Sequence, residues 1–432
     1  MDRLLTYCHS VFLRYSTIAI VLLSLAVQFV LIGQYLDNSI ISAYAPTAAD
    51  AADYAGRAQV WQTEGFEKAF SDGFRMPGYP LVILFMNFVM PSAPYLGVRL
   101  LQMLGLALSA GIINVVLQKI ISRRVAVLVS SLYIFLPIWH FVPALLAESL
   151  TSAIVVALVY VLATLKYSEI SWQHLVKISI LIVIATYLKP NNLALLIVVF
   201  GFLIFTLRAR IIISLSSIVL MVALLLSPWV LFVNDSQPGF FGLTTNSGMN
   251  LYVGTGMVLS YDESLLAKSA VKWRVDPRNN PTDIRVDATA GSPVIQNSKF
   301  TDKAIQIWKE RPLREIGYGI DKILIAFGFK SNSVTDYVYG LFNALSLISA
   351  ALLIRSRTFR AWGVTTLITA LVLASQAAVF QADRRFVVPV LFPIAVISLG
   401  IALGNLPRSN FWGRSTGSPI NPKGNRTAPS FT

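Results

Sequence analysis

Long apolar runs recur along almost the whole chain, and they constrain the fold more than any other feature of the sequence. A helix needs about 20 mostly apolar residues to cross about 30 Å of hydrocarbon. The chain is 55% hydrophobic and only 13% charged, whereas soluble globular proteins are about 45–50% apolar and about 25% charged. The sequence therefore predicts an all-α integral membrane protein.

Ten segments are predicted to span the membrane, although several of them are short. They are residues 16–36, 95–117, 125–139, 144–165, 178–188, 193–207, 211–230, 337–354, 361–380 and 386–403. Residues 1–15 lack the small-residue cleavage pattern of a signal peptide, so the first span is expected to be retained. We expect one membrane domain, residues 1–404, and a disordered cytoplasmic tail, residues 405–432.

The positions of the charged residues support this topology, because cytoplasmic loops hold the excess of Lys and Arg. Alternating the spans places both termini in the cytoplasm, and Asp2 and Glu169 are then the only acidic residues on that side. The whole net charge of +14 falls on the cytoplasmic side. Its basic residues are Arg3, Arg14, Lys119, Arg123, Arg124, Lys166, Lys177, Arg208, Arg210, Arg355, Arg357, Arg360, Arg408, Arg414, Lys423 and Arg426.

The same distribution excludes some functions. The positive charge is explained by membrane topology, so it does not indicate nucleic-acid binding. The single cysteine, Cys8, excludes an intramolecular disulfide and a zinc site built on several thiolates. No cluster of His or carboxylate residues has the spacing of a metal site, and no metal is expected.

Two long segments are predicted to lie outside the cytoplasm. The first external segment, residues 37–94, contains amphipathic stretches at 51–62 and 77–90. The stretch at 77–90 is too short to cross the membrane comfortably and is expected to lie in the interface. The second external segment, residues 231–336, is polar and ends in an amphipathic stretch at 301–329.

Ionisable residues near the outer ends of the spans are functional candidates, because charges at membrane depth are costly. They are Asp50, Asp53, Arg75, Glu148, Lys189, Asp383, Arg384 and Arg385. Lys189 and Pro190 break the run 178–207 into a hairpin. Its first limb, 178–188, would rise only about 16 Å, so Lys189 would stop short of the outer surface and need water or an anion.

A series of short motifs occurs in a recognisable order. They are Asp50-Ala51-Ala52-Asp53-Tyr54 with Ala58, Arg75-Met76-Pro77-Gly78-Tyr79-Pro80, Glu148, Lys189-Pro190, Pro228-Trp229, Gly248-x-Asn250-x-Tyr252-x-Gly254, and Arg384-Arg385-Phe386 with Pro389 and Pro393. Their order and common side resemble the GT-C superfamily of membrane glycosyltransferases, in particular protein O-mannosyltransferases and the aminoarabinose transferase of lipid A. Many relatives carry a second acid directly after the first, and here that position is Ala51.

The resemblance implies inverting transfer of a sugar from a polyprenyl-phosphate carrier to a hydroxyl of a glycan, lipid or protein acceptor, without a cofactor. It also implies a bacterial inner membrane and a site that faces the periplasm. The implied catalytic residues are Asp50 as the base, with Glu148 and Asp53. The implied donor-phosphate ligands are Arg75, Lys189, Arg384 and Arg385, and the implied substrate-binding residues are Tyr54, Tyr79, Asn250 and Tyr252. A carboxylate base and fixed cations for a departing phosphate suit this chemistry.

Each of these residues also has a structural interpretation. Asp50 could be a helix N-cap, Arg75 an interfacial cation, and Lys189 a helix-end cation. Glu148 could be a buried partner of Arg99 or Lys189.

Other functions also remain open from the sequence. A transporter or flippase would use intramembrane charges as a permeation path, although such proteins usually carry repeats and charges in both membrane halves. A polysaccharide polymerase or ligase that uses a lipid-linked glycan is a further alternative.

Overall fold

The computed structural model describes residues 15–35, 49–136, 138, 141–165, 170–206, 211–255, 257–259, 273–275, 292–330, 334–380 and 384–405. Cys8, Asp383 and the predicted tail after Asn405 lie outside the described residues, and the Arg384 side chain is also not described. The described residues are almost entirely helical, as predicted.

The helices are α1 (Ser16–Tyr35), α2 (Ala49–Glu64), α3 (Phe66–Phe70), α4 (Gly78–Val89), α5 (Pro94–Gln118), α6 (Arg123–Phe135), α7 (Glu148–Ala163), α8 (Trp172–Leu188), α9 (Leu195–Thr206), α10 (Ile211–Ser236), α11 (Ser247–Gly254), α12 (Pro293–Glu310), α13 (Pro312–Ala326), α14 (Val334–Ile354), α15 (Arg360–Val379) and α16 (Arg384–Gly404). A 3-10 segment, Pro190–Ala194, separates α8 from α9. Two short strands, β1 (Met257–Leu259) and β2 (Trp273–Val275), pair antiparallel with Val258 opposite Arg274.

Five helices are long and apolar enough to cross a membrane: Pro94–Gln118, Ile211–Ser236, Tyr337–Ile354, Arg360–Val379 and Val387–Gly404. They coincide with five of the ten predicted spans. The other five predicted spans are α1, which has 20 residues, and the shorter helices α6, α7, α8 and α9, which have 13, 16, 17 and 12 residues. A helical membrane protein is therefore supported, and the count of ten spans stays a prediction.

Four predicted boundaries are wrong. The seventh predicted span ends at Ser236, six residues beyond the predicted end at residue 230. The third predicted span ends at Phe135, because Leu136 already has an extended backbone. The fourth begins at Glu148, because Leu145 has a positive φ of 54°, which an α-helix cannot contain. Glu148 is thus the first residue of α7, whereas we expected it about one turn inside the helix.

The fourth wrong boundary is the start of the fifth span. Helix α8 begins at Trp172, so its 17 residues rise about 26 Å, and the predicted rise of about 16 Å was too small. The break itself is confirmed: α8 ends at Leu188, and Lys189 is extended with φ −156° and ψ 118°. Proline disfavours helical geometry in the residue before it, so Pro190 explains this end.

Helix α16 lies at the centre of the bundle and packs against α6, α7, α14 and α15. In its apolar window 89% of the residues are buried within the protein, compared with 22% for α10. Helix α5 packs against α1, α6 and α7, and α8 packs against α7 and α10. The first residues of α16 therefore belong to a helix that other helices surround.

The two segments predicted to be external contact each other. The Gln237 side chain at the end of α10 donates to the Ser71 carbonyl at 2.9 Å. The Thr245 amide donates to the Gly73 carbonyl at 2.9 Å, and the Thr245 hydroxyl donates to the Asp72 carbonyl at 2.8 Å. Residues about 170 positions apart thus fix the loop that precedes α4.

Candidate functional site

Helix α2 presents its polar residues at helical spacing. Asp50, Asp53, Tyr54 and Arg57 follow the i, i+3, i+4, i+7 pattern that places side chains on one face. The small residue Ala58 is fully buried and, with Ala51 and Tyr54, packs in the cluster that joins α2 to α4. This packing holds the polar face of α2 toward the loop 71–77 and the start of α16.

Asp50 is bound by two arginines from distant parts of the chain. One carboxylate oxygen lies 2.5 Å from Nη2 of Arg75, and the other lies 2.6 Å from Nη1 of Arg385. All three side chains are partly buried. Burial alone would raise the pKa of Asp50, but the charges of Arg75 and Arg385 outweigh it and lower the pKa below its ordinary value.

Arg75 joins Asp50 to the rest of helix α2. Its Nε donates to Asp53 at 2.7 Å, and its guanidinium carbon lies 5.3 Å from the centre of the Tyr54 ring. This distance is within the range of a cation–π interaction. The guanidinium is therefore held on three sides before any ligand binds.

Arg57 and Asp72 complete this group and were missed in the sequence. Arg57 donates to both Asp72 carboxylate oxygens at 2.9 and 2.7 Å and to Asp53 at 3.1 Å. The position of Arg57, four residues after Asp53 on a helix, was an available signal. We name Asp50, Asp53, Arg57, Asp72, Arg75 and Arg385 the Asp50 cluster. Within it Asp53 bridges two arginines, which fits a structural role.

Two glycines shape the segment that carries Arg75. Gly73 has φ +62°, and a Cβ there would lie 2.8 Å from a methyl carbon of Val233. At Gly78 a Cβ would lie 2.5 Å from the carbonyl carbon and oxygen of Tyr187. Glycine at 78 thus lets the start of α4 approach the end of α8, and Lys189 follows two residues after Tyr187.

Glu148 and Lys189 form a second, more deeply buried ion pair. The Lys189 Nζ donates to a Glu148 oxygen at 2.7 Å, with 16% and 4% of the two side chains exposed. Two partners were considered for Glu148, and the structure shows that Lys189 is a partner. The other candidate, Arg99, donates to the Pro143 carbonyl at 2.9 Å. We name this the Glu148–Lys189 pair.

A narrow cavity links the pair to the Asp50 cluster. Glu148, Lys189, Asn192 and Arg385 are among the residues that line it. Its volume is about 20 Å³, roughly the room for one water molecule. Arg385 therefore connects the two groups, because it binds Asp50 and lines the cavity that Glu148 and Lys189 also line.

The four residues expected to bind substrate lie in two separate places, Tyr54 and Tyr79 between α2 and α4, and Asn250 and Tyr252 on α11. Tyr54 and Tyr79 are buried and meet edge to face at 5.0 Å, and the Tyr79 hydroxyl accepts from Gln102 at 3.0 Å. Tyr252 is buried, and the centre of its ring lies 5.6 Å from the centre of the Phe300 ring. Asn250, two residues earlier in α11, is half-buried. Tyr79 and Tyr252 therefore pack within the surrounding structure, and the Tyr54 ring faces the Arg75 guanidinium.

Glycines of the Gly-x-Asn-x-Tyr-x-Gly motif explain its packing. The Gly248 amide donates to the Asn297 side chain at 2.6 Å, and a Cβ at 248 would clash with the Asn297 carbonyl oxygen. A Cβ at Gly254 would clash with the Val379 carbonyl oxygen. The motif thus brings α11 against α12 and against the end of α15.

Lys322 is a buried cation that the sequence analysis did not single out. Only 2% of the residue is exposed, and its Nζ donates to the carbonyls of Gly254 at 2.8 Å and Phe380 at 3.2 Å. Burial lowers the pKa of Lys322 to about 8, partly offset by Glu315. Lys322 thus ties α11 to the end of α15, five residues before Arg385.

No group of three or more His, Cys, Asp or Glu side chains that could hold a metal ion occurs among the described residues. The Asp50 cluster and the Glu148–Lys189 pair together contain four carboxylates and four cations, so their formal charges balance.

Comparisons with other proteins leave the identity open. No model of a protein family, no curated protein and no solved structure matches the chain. The function must therefore be inferred from its own residues and their contacts.

Proposed function

We propose that this protein is a membrane glycosyltransferase that moves a sugar from a polyprenyl-phosphate carrier to an acceptor hydroxyl. The acceptor is a glycan, lipid or protein, and the site faces the periplasmic side of a bacterial inner membrane. The observation that carries the proposal is the binding of Asp50 by Arg75 and Arg385. It joins a potential base and two potential phosphate ligands within hydrogen-bond distance.

Asp50 has the chemistry of the acceptor-activating base. A hydroxyl nucleophile needs a carboxylate within hydrogen-bond reach that takes its proton in the transition state. In the structure both arginines bind Asp50 and lower its pKa, which makes the carboxylate a weak base. A donor phosphate that takes over Arg75 and Arg385 frees Asp50 and raises its basicity, so donor binding switches the base on.

The cations have the chemistry of the leaving-group site. Negative charge on the carrier phosphate grows as the anomeric bond breaks, and fixed cations stabilise that charge. Guanidinium groups bind phosphate with two parallel hydrogen bonds, which suits Arg385. Lys189 lies along the same cavity and adds a third positive charge once the phosphate displaces Glu148.

The cavity in the structure is too small to admit a sugar donor. A cavity of about 20 Å³ holds roughly one water, whereas a sugar phosphate needs far more room. Opening requires the ion pairs on Arg385 and Lys189 to exchange partners. The donor phosphate is an anion, so it provides the replacement partner that makes this exchange favourable.

Helix α4 offers a surface for the isoprenoid chain. Tyr79, Ile83 and Met86 lie on its buried face, while Leu81, Phe85 and Phe88 lie on the opposite face and are at least half exposed. Both faces are apolar, so the outer one suits lipid rather than water. The helix begins three residues after Arg75, which places a carrier chain beside the cations for its phosphate.

The test is incubation of the purified protein in lipid nanodiscs with polyprenyl-phosphate sugars and a range of acceptors, followed by measurement of free polyprenyl phosphate. Asp50→Asn should lower its release at least about 10²-fold, the usual scale for losing a general base. Asp321→Asn is the matched control, because Asp321, which lies in α13, forms a partly exposed 2.7 Å ion pair with Lys330. It should leave release unchanged.

The transporter alternative makes a different prediction in the same nanodiscs and in vesicles. A flippase would move an intact lipid-linked sugar across the vesicle membrane and release no polyprenyl phosphate. Translocation without release, or equal release by the wild type and Asp50→Asn, would contradict the proposal.

A further inference from the structure

A second opening lies at the other end of the bundle from the Asp50 cluster. It is a groove of about 360 Å³ between α5, α7 and α8, within the range of about 300–1,000 Å³ for small-molecule sites. We name it the Tyr160 groove; Ile112, Ala157, Tyr160, Val161, Lys177 and Ile180 are among the residues that line it.

Helix geometry gives the distance between this groove and the Glu148–Lys189 pair. Tyr160 follows Glu148 by twelve residues in α7, and Lys177 precedes Lys189 by twelve residues along α8. At about 1.5 Å per residue, each lies about 18 Å from the pair along its helix axis. The groove is therefore separate from the site proposed for sugar transfer.

The groove has apolar walls and a charged edge. Its wall residues Ile112, Ala157, Val161 and Ile180 are apolar, and Ile180 is 42% exposed. An open apolar trough between membrane-type helices suits a hydrocarbon chain.

Two lysines lie at the edge of the trough. Lys177 lines the groove directly, and the Nζ of Lys119 lies 5.5 Å from the centre of the Tyr160 ring. Both lysines are exposed, so their ammonium groups are open to an anionic headgroup.

The charged side chains of the described residues around the groove have one sign. Arg123 and Arg124 begin α6 next to the end of α5, and the described residues 110–125, 157–165 and 170–181 contain no Asp or Glu. In the sequence Lys166 and Glu169 stand between α7 and α8, and both lie outside the described residues. Basic pockets between membrane helices attract the headgroups of anionic lipids.

We infer that the Tyr160 groove is a binding site for an anionic phospholipid, with one acyl chain in the apolar trough and the phosphate between Lys119 and Lys177. A zwitterionic lipid would fit less well, because the quaternary ammonium of its headgroup offsets the phosphate and is repelled by the two lysines. A second copy of this chain would bring like charges together, which opposes self-association. The charge pattern of the sequence predicts that this end is cytoplasmic, where anionic lipids attract basic segments.

The test measures lipid binding by the full-length protein in neutral detergent, using native mass spectrometry with dioleoyl phosphatidylglycerol and dioleoyl phosphatidylcholine. No sugar donor is present, so the result is independent of the proposed function. We expect the wild type to bind phosphatidylglycerol about 10-fold more tightly or better. The double variant Lys119→Gln/Lys177→Gln should lose this preference.

The matched control is Arg355→Gln/Arg357→Gln, which removes the same charge from two exposed arginines outside the groove. It should keep the preference. Equal loss in both double variants would show diffuse surface attraction and overturn the inference. Equal affinity of the wild type for the two lipids, or full displacement of phosphatidylglycerol by inorganic phosphate, would also overturn it.

A third variant tests the trough without changing charge. Ala157→Phe fills the apolar part of the groove, so the affinity for phosphatidylglycerol should fall about 10-fold while both lysines remain. Lys119→Arg/Lys177→Arg keeps both charges and should keep the lipid preference. If the glutamine variant does not fold, Ala157→Phe decides: unchanged phosphatidylglycerol affinity in that variant would refute the site.

Discussion

Asp50 and Arg385 are 335 residues apart in the sequence, and a carboxylate oxygen of one lies 2.6 Å from a guanidinium nitrogen of the other. Arg385 stands in the first turn of α16, the most buried of the five long apolar helices. The contact therefore joins the first predicted external segment to the centre of the helix bundle. Any movement of α16 along its axis changes the environment of Asp50.

The two adjacent arginines should differ in function. Arg385 binds Asp50 and lines the cavity next to Lys189, so Arg385→Gln should reduce sugar transfer at least about 10²-fold. We expect Arg384→Gln to have a much smaller effect. The measurement is release of polyprenyl phosphate at saturating acceptor, and a larger loss from Arg384→Gln would assign the phosphate contact to the other arginine.

The sequence predicted the general fold because apolar length and charge asymmetry are local properties. It also placed a break at Lys189, because the effect of Pro190 on the preceding residue is local. The start of α7 was missed, since it depends on the positive φ of Leu145, which no residue type in that stretch demands. The span count stays open because α6, α7, α8 and α9 have fewer than the about 20 residues that cross the hydrocarbon core.

The residues of the candidate site were predicted in part, because their positions in the sequence are also a local property. Asp50, Arg75, Glu148, Lys189 and Arg385 were named from their positions near helix ends, and the structure brings them together through ion pairs. Arg99 and Lys189 were the two alternatives for Glu148, and the structure shows the contact with Lys189. The pairing of Asp50 with Arg75 and Arg385 depends on tertiary packing and was not predicted. Lys322 was missed because its partners are backbone carbonyls, which carry no sequence signal.

The predicted topology can be tested by cysteine labelling. In a Cys8→Ser background, Ser298→Cys lies on α12 in an exposed position and should react with an impermeant thiol reagent added from outside. Arg357→Cys, exposed between α14 and α15, should react only after the membrane is permeabilised. The reverse pattern would overturn the assignment of the two sides.

The close approach of α4 and α8 should not tolerate a side chain at Gly78. A Cβ there meets the Tyr187 carbonyl group at 2.5 Å, and both partners are backbone, so Gly78→Ala should lower thermal stability by about 1–3 kcal/mol. Gly56→Ala in α2 is the control, because a Cβ at Gly56 meets nothing within 4 Å. Alanine should be neutral or slightly stabilising there. Equal thermal midpoints of the two variants would contradict the packing argument.

Lys322 should make the free energy of unfolding depend on pH in the alkaline range. Its pKa is lowered from 10.5 to about 8 in the folded protein, so the unfolded chain binds more protons between about pH 8 and 10.5. Stability therefore rises with pH in this window, and below about pH 8 the folded state carries the full cost of a buried ammonium. Relative to Lys322→Met, the wild type should gain up to about 3 kcal/mol across this window. Parallel pH profiles of the thermal midpoints would show that Lys322 has no such role.

The Glu148–Lys189 pair allows a test that separates structure from function. Glu148→Gln or Lys189→Met alone leaves a buried, uncompensated charge and should destabilise the protein by about 3–5 kcal/mol, whereas the double variant removes both charges and should recover most of that stability. The methionine keeps the apolar stem of the lysine, so the loss in the single variant comes from charge rather than from packing.

Activity should not recover with stability in the double variant. If Lys189 contacts the donor phosphate, the double variant stays at least about 10²-fold below the wild type in transfer, while Lys189→Arg keeps part of the activity because it keeps the positive charge. The measurements are thermal midpoints and rates of polyprenyl phosphate release from the same preparations. A double variant that regains stability and transfer together would show that the pair only holds α7 to the end of α8.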